Sequence, residues 1–321
     1  MPRFLWGWLA LLLAGVILLP LLVVTLLSGP RLPQITTDRA VRLYLPATGS
    51  LEVLPLEEYV RGVVAAEMPA RFAPEALKAQ AVAARTYAVR RLVQSRQGAG
   101  THPEADVCND PKHCQGWLSE AEMRQRWGWL GYWFFRRKVT GAVLATRGLV
   151  LTYQGELIDP VYHSASGGRT EDPREIWGRS VPYLRSQPSP WEEESPYNEV
   201  VTVLSAAEVR RRLGLAATSG ADLSLRVASY TASGRIKTVV AAGRLFTGPE
   251  FRQLLGLNST WFRWEKKGQD FVFYSRGYGH GVGMSQYGAQ GLARRGKSFR
   301  EILAYYYPGT RLVSLSELRL P

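Results

Sequence analysis

The stretch LPLEEYVRGVVAAEMPARFAPEALKAQAVAARTYAVRR, residues 54–91, decides how the rest of the chain is read. Leu56, Tyr59, Val60, Val63 and Val64 recur at helical spacing and predict a helix over 56–66. Pro69 stops it, leaving Glu67 at the C-terminal end between Ala66 and Met68. Pro74 suits the first position of a second helix, which runs to about Gln94 with Glu75 in its first turn. This helix is rich in alanine, which lets another element or a substrate approach closely, and it carries Lys78 and Arg85 on one face. A glutamate at a helix end is ordinarily a surface residue. Apolar flanks and the negative end of a helix dipole instead push Glu67 toward its protonated form, the form a general acid needs. Lys78 or Arg85 close by would pull the other way.

The chain before this stretch has a different character. Between 4 and 27 every residue is apolar or glycine except Pro20 and Thr25, about the length that crosses a bilayer as a helix. A cleaved signal peptide has a shorter apolar core and a small-x-small site, and no clear site is present, so an uncleaved anchor is expected over 1–28. Arg3 precedes the span while Arg31, Arg39 and Arg42 follow it, so basic charge does not settle the orientation. Residues 29–40 read as a linker and 41–321 as one body, divisible into two lobes by a strand-rich insertion around 200–275.

The 321 residues carry a formal net charge of +13. Such an excess attracts polyanions, whether nucleic acid, anionic lipid or an acidic wall polymer. The basic clusters at 90–91, 136–138, 210–212 and 294–295 each read as solvated helix faces, and none has the interleaved aromatics of a base-stacking platform. Nucleic acid is not an expected partner.

Local signals place the other elements. Residues 41–45 and 50–54 form a hairpin about Pro46–Gly49, 148–157 a second about Gln154-Gly155, and 225–245 strands turning at Ser233-Gly234. Strands are also expected at 161–170, 200–204 and 271–275. Residues 119–137 read as an aromatic-rich helix interrupted at Gly-Trp-Leu-Gly, and 249–255 as a short helix. Ser285 can cap a helix over 286–294, and Ser298 with Glu301 forms a capping box for another, stopped by Pro308-Gly309. Strands and helices do not alternate regularly, so the fold class is α+β: a mixed α/β body with a central cleft behind an N-terminal transmembrane helix.

Two motifs hold most of the remaining chemistry. VYHSASGGRT and GYGHGVGMSQYGA supply His163, Ser164, Ser166 and His280. The first lacks the G-x-S-x-G elbow and the second lacks the dinucleotide fingerprint and a Walker lysine, which weighs against serine hydrolysis and nucleotide binding. Alternate glycines allow either an anion nest or a tight turn holding His280 in the core. A polar loop carries His102, Cys108, His113 and Cys114, the composition of a Cys2His2 zinc site in a spacing unlike that of a zinc finger. A Cys108–Cys114 disulfide stands equally open on these residues.

Three blocks carry a resemblance: LEEYVRGVVAAEMP with EALKAQAVAARTYA, then VYHSASGGRTED with WG and PYL, then GYGHGVGMSQYGAQGLARRG with YYPGT. In order and spacing the chain resembles the SpoIID/LytB family, over most of 54–312. The resemblance implies a membrane-anchored lytic transglycosylase with its body outside the cytoplasm, acting during engulfment on peptidoglycan strands already stripped of stem peptides by an amidase. It places the catalytic acid on Glu67 and further cleft residues on Lys78, Gln80, Arg85, Tyr87, His163, Ser164, His280, Gln286 and Tyr287. Relatives with the same loop bind zinc through the positions matching His102, Cys108, His113 and Cys114. It also implies an amidase and other engulfment membrane proteins as partners, and other relatives suggest an alternative, a wall-binding enhancer of an amidase. Most glycosidases need two carboxylates. A lytic enzyme needs one, because the sugar's own C6 hydroxyl replaces water, and a lone Glu67 is consistent with that chemistry. Lys78 and Arg85 would then favour stripped strands by meeting the lactyl carboxylates.

Overall fold

The computed structural model describes residues 16, 39–216 and 223–318. The apolar stretch 4–27 lies outside the described residues but for Val16, and no helix among the described residues is long and apolar enough to cross a membrane. The body is a mixture of helices and short strands, as expected.

It opens on the hairpin of β1 (Ala40–Leu45) and β2 (Ser50–Pro55), paired from Ala40↔Pro55 to Leu45↔Ser50 around the four-residue turn. Next come α1 (Leu56–Glu67) and α2 (Pro74–Arg96), both where the apolar spacing put them. Pro74 fits the N-terminus of α2 because the missing N–H would have no partner there. Alanine recurs all round α2 rather than on a stripe: Ala76, Ala79, Ala81, Ala83, Ala84 and Ala88 are all fully buried. A helix apolar on every side belongs inside a core. Accordingly α2 touches α1 and the later elements α3 (Glu120–Ala145) and β4 (Leu149–Tyr153), among others.

Strand β3 (Val107–Cys108) pairs in parallel with β1 and leads toward α3, which a complete Ser119–Glu122 capping box begins. Gly128, at φ 68°, breaks α3 where the sequence places an interruption, but the helix then runs past Arg137 to Ala145. Strand β4 turns through Gln154 and Gly155, both at positive φ, into β5 (Glu156–Leu157). Beyond β6 (Tyr162–His163) and the single turn α4 (Pro173–Trp177) lies a second hydrophobic cluster, centred on Phe246, Phe251, Phe262, Phe271 and Phe273. It is built from β7 (Val200–Ser205), α5 (Ala206–Arg212), β8 (Leu225–Tyr230), β9 (Ile236–Ala241), β10 (Arg244–Thr247), α6 (Gly248–Leu255), β11 (Phe262–Lys267) and β12 (Asp270–Ser275). These strands form two three-stranded antiparallel sheets, in the orders β10-β9-β8 and β11-β12-β7.

Glu171 and Arg235 join this cluster to the rest. The buried Glu171 carboxylate accepts from Thr231 Oγ1 at 2.8 Å and Ser233 Oγ at 2.7 Å, and Arg235 Nη2 donates to the Ser166 carbonyl at 2.6 Å. The chain then returns to the main core through β13 (Met284–Ser285), α7 (Gln286–Arg294), α8 (Phe299–Tyr306) and β14 (Arg311–Ser314). Ser285 Oγ accepts from Gly288 N, and Ser298 and Glu301 complete the expected capping box. β13 pairs in parallel with β6, which draws the two glycine-containing motifs together.

Candidate active site and metal-ligand cluster

The glycine run explains how closely the motifs approach. Gly277, Gly279, Gly281 and Gly283 all have positive φ. A Cβ on Gly279 would stand 2.9 Å from His163 Cβ, and one on Gly283 would overlap the Val161 carbonyl oxygen. Only glycine satisfies both the backbone conformation and the space. The amides here are already used within the protein, Gly277 N on Tyr197 O, Tyr278 N on Ala165 O and Gly279 N on Asn258 O. Those three amides are therefore not open to an anion, and His280 lies in the cleft lining rather than the core.

Between β6, the glycine run and the end of α1 lies a cleft of about 610 Å3, with Glu67 in its wall. Tyr87, Gln115, Arg126, Tyr162, His163, Ser164, Tyr278, His280 and Gln286 line it too, and Glu67 is its only carboxylate among the described residues. Burial pushes the Glu67 pKa above its ordinary value of 4.5. Bonds from Gly116 N (2.6 Å to Oε1), Gln286 and Tyr162, together with the Arg126 charge, pull against burial without overcoming it. The cation acting on Glu67 is therefore Arg126, not Lys78 or Arg85. Arg126 Nη1 also donates to the Ala65 and Ala66 carbonyls, at 3.1 Å each, occupying unpaired acceptors at the end of α1.

Behind the carboxyl stands a chain of tyrosines and glutamines. Tyr59 Oη donates to Gln115 Oε1 at 3.4 Å, and Gln115 Nε2 donates to Tyr162 Oη at 2.9 Å. Tyr162 Oη thereby keeps its own hydrogen for Glu67. Gln286 Nε2 is steadied by Gln80 Oε1 at 3.4 Å.

The two histidines differ in what they offer. His280 Nδ1 accepts from Val282 N at 3.0 Å and its ring also bonds the Tyr162 backbone, while burial pushes its pKa down to about 4. His163 Nδ1 bonds the Val282 carbonyl at 3.0 Å, so its Nε2 holds a lone pair; that atom is buried without a partner. Burial holds the His163 pKa well below its usual value. Burial thus favours the neutral form of both rings. Ser166 is no nucleophile, since its Oγ donates to Glu192 at 2.6 Å.

Of the residues singled out from the sequence, Glu67, Tyr87, His163, Ser164, His280 and Gln286 share this cleft. Four others stand apart from its lining. Arg85 is 0 % exposed, so no substrate reaches it; its guanidinium pairs with Glu57 at 2.5 Å and donates to the Val143 and Leu149 carbonyls. Gln80 is wholly buried behind Gln286, and Tyr287 packs edge-on against Phe72 with ring centroids 5.0 Å apart. Lys78 pairs with Glu75 at 2.6 Å. Sequence reasoning missed Tyr162, Gln115, Gly116 and Arg126. Tyr162 was the most accessible of these, being beside His163 in a quoted motif.

His102 Nε2, Cys108 Sγ, His113 Nδ1 and Cys114 Sγ lie within 4.8 Å of one another, and both cysteines are free. The separations Cys108–His113, Cys114–His113 and His102–Cys114 are each 3.5 Å. A tetrahedral ion about 2.3 Å from sulfur and about 2.0 Å from nitrogen requires roughly 3.6 Å between such ligands. The cluster thus fits a metal ion. Its last member abuts the cleft, and the next two residues, Gln115 and Gly116, are the ones bonded to Tyr162 and Glu67.

A buried acid stands alone in the wall of the cleft, beside a four-ligand loop. Residues 46–153 match the SpoIID family model, described as stage II sporulation protein. The chain is 41% identical over 273 residues to stage II sporulation protein D of Bacillus subtilis (strain 168), covering 85% of this chain and 78% of that one. The counterpart in Bacillus amyloliquefaciens is 38% identical over 278 residues, 87% of this chain and 79% of that one. A more distant relative, 30% identical over 79% of this chain and 40% of its own length, is named amidase enhancer, again from Bacillus subtilis. The chain belongs to the SpoIID family of sporulation proteins.

Proposed function

We propose that the protein is a peptidoglycan lytic transglycosylase that cleaves glycan strands, preferably those stripped of stem peptides, during engulfment in sporulation. The observation that carries this reading is a single carboxyl in the cleft, raised in pKa by burial. Protonated Glu67 gives its proton to the glycosidic oxygen as the bond from C1 breaks. The carboxylate so formed takes the proton of the C6 hydroxyl as that oxygen attacks C1, closing a 1,6-anhydro ring and returning Glu67 to its acid form. No water enters, so no second carboxylate is needed. The amide of Gly116, Gln286 and Tyr162 steady the ionised intermediate form. Arg126, on the cleft wall, rather than Lys78 or Arg85, attracts the lactyl carboxylates that peptide removal exposes.

In this reading the stretch 4–27 anchors the body to the cell membrane on its outer side. Zinc is the ion that the thiolate and imidazole ligands suit, and with four protein ligands it is structural. It would hold residues 102–114, and with them Gln115 and Gly116, against the catalytic wall.

Purified protein incubated with stripped strands is expected to yield anhydro-muramic ends, and Glu67→Gln to yield them about 10²–10⁴-fold more slowly. The name of the amidase-enhancer relative supports a second reading, wall binding that stimulates a partner amidase. Absence of anhydro ends from wild type, with amidase stimulation retained by Glu67→Gln, would favour it instead.

A further inference from the structure

The second half of α3 has an unusual surface. Trp129, Leu130, Trp133 and Phe134 are 68%, 76%, 49% and 66% exposed. Their spacing of one and four places all four on one side of the helix, immediately after the break at Gly128. Contiguous exposed apolar surface of this size marks an interaction site. Exposed Arg124 and Arg137 lie before and after this ridge and supply its basic margins, whereas Arg136 pairs with Glu120 at 3.0 Å and Lys138 donates to the Arg71 carbonyl at 3.0 Å. Tryptophan and phenylalanine with arginine at the margins is the composition of a helix lying in a membrane interface, where the rings enter the headgroup–acyl boundary and the cations meet anionic lipid.

We propose that this ridge docks the body onto the surface of an anionic lipid bilayer. The inference rests on the four exposed side chains and their basic margins, and it does not require the catalytic reading. α3 also carries Arg126 to the wall of the cleft, so adsorption along 129–134 brings the cleft close to the bilayer. With 4–27 as the anchor of the reading proposed above, about twelve linker residues would keep the body within roughly 40 Å of the membrane, which would raise the effective concentration of the ridge at that surface.

The test uses the full chain at one copy per lipid nanodisc, made of phosphatidylcholine alone or mixed with phosphatidylglycerol. Hydroxyl-radical oxidation is read at Trp129 and Trp133 by mass spectrometry, with Tyr230, exposed on a different sheet, as reference. Oxidation of the two tryptophans relative to Tyr230 is expected to fall about fivefold or more on adding the anionic lipid, since each basic residue near such a surface strengthens binding by roughly that factor. Arg124→Glu with Arg137→Glu should restore the phosphatidylcholine value. Oxidation indifferent to lipid charge would overturn the proposal. So would protection that follows the density of the chain, which would assign the ridge to a second copy, or protection that follows added glycan.

Discussion

Glu67 is held in two directions at once, by burial that favours its acid form and by three hydrogen bonds and Arg126 that favour its base form. A residue serving as acid and then as base needs both states within reach. Glu67→Gln should lower strand cleavage by about 10²–10⁴-fold, the usual contribution of a general acid–base group. Because the folded-state pKa lies above the ordinary 4.5, the stability this proton confers is present below pH 4.5 and is lost as pH rises through the folded value. The glutamine variant should therefore melt higher than wild type at pH 7, with the difference closing toward pH 4, as calorimetry would show. Activity should fall on the alkaline side with an apparent pKa above 4.5. No inflection near 6.5 should appear, because His280 titrates at about 4 and His163 well below its usual value.

Helices and strands come next in scale, and here the buried Arg85–Glu57 pair matters more than any cleft charge. It ties the first turn of α1 to the middle of α2, and through the Val143 and Leu149 carbonyls and Gly148 N to the end of α3 and the start of β4. Arg85→Met leaves the Glu57 carboxylate unpaired in the core and should cost about 3–5 kcal/mol in denaturant unfolding. Adding Glu57→Leu should recover much of it. Lys78→Ala removes one half-exposed pair and should change stability by less than about 1 kcal/mol, with cleavage unaltered. The contrast also shows what a sequence discloses. Hairpins, the capping box at Ser298 and the break at Gly128 depend on neighbours within a few residues, so their signals were readable. That Lys78 and Arg85 share a face was readable as well. Which partner covers that face depends on how α1 crosses α2 and where β4 begins, and no local pattern carries that. β11 escaped notice because its inward Phe262 and Trp264 sit among four charged residues that resemble a solvated loop.

At the scale of the whole molecule, the metal-ligand loop and the second hydrophobic cluster both converge on the same walls. On the proposed zinc assignment, the protein should bind about one zinc per chain, and Cys114→Ser, or chelation, should abolish that binding and lower the melting temperature. It should also reduce cleavage, since Gly116 N and Gln115 follow directly after Cys114. Metal analysis and the anhydro-end assay on one sample would show the two losses together. The loop's composition was legible, but its closure on Glu67 was not, because the contact from Gly116 to Glu67 spans 49 residues of sequence.

Glu192 lies outside the cleft lining, yet it holds both motifs in place. Its carboxylate accepts from Ser166 N and Oγ, Gly167 N, Ser189 Oγ and Ser285 Oγ. Ser285 caps α7, whose first residue, Gln286, reaches Glu67. In the sequence Glu192 is the first of three consecutive glutamates, two of which form surface pairs with Arg294 and Arg295. In a genetic screen for loss of the proposed strand cleavage, alleles of Glu192 would therefore cluster with alleles of Glu67 although Glu192 lies outside the cleft lining. Temperature-sensitive phenotypes would separate them, since only the Glu192 alleles undo the wall on which the acid depends.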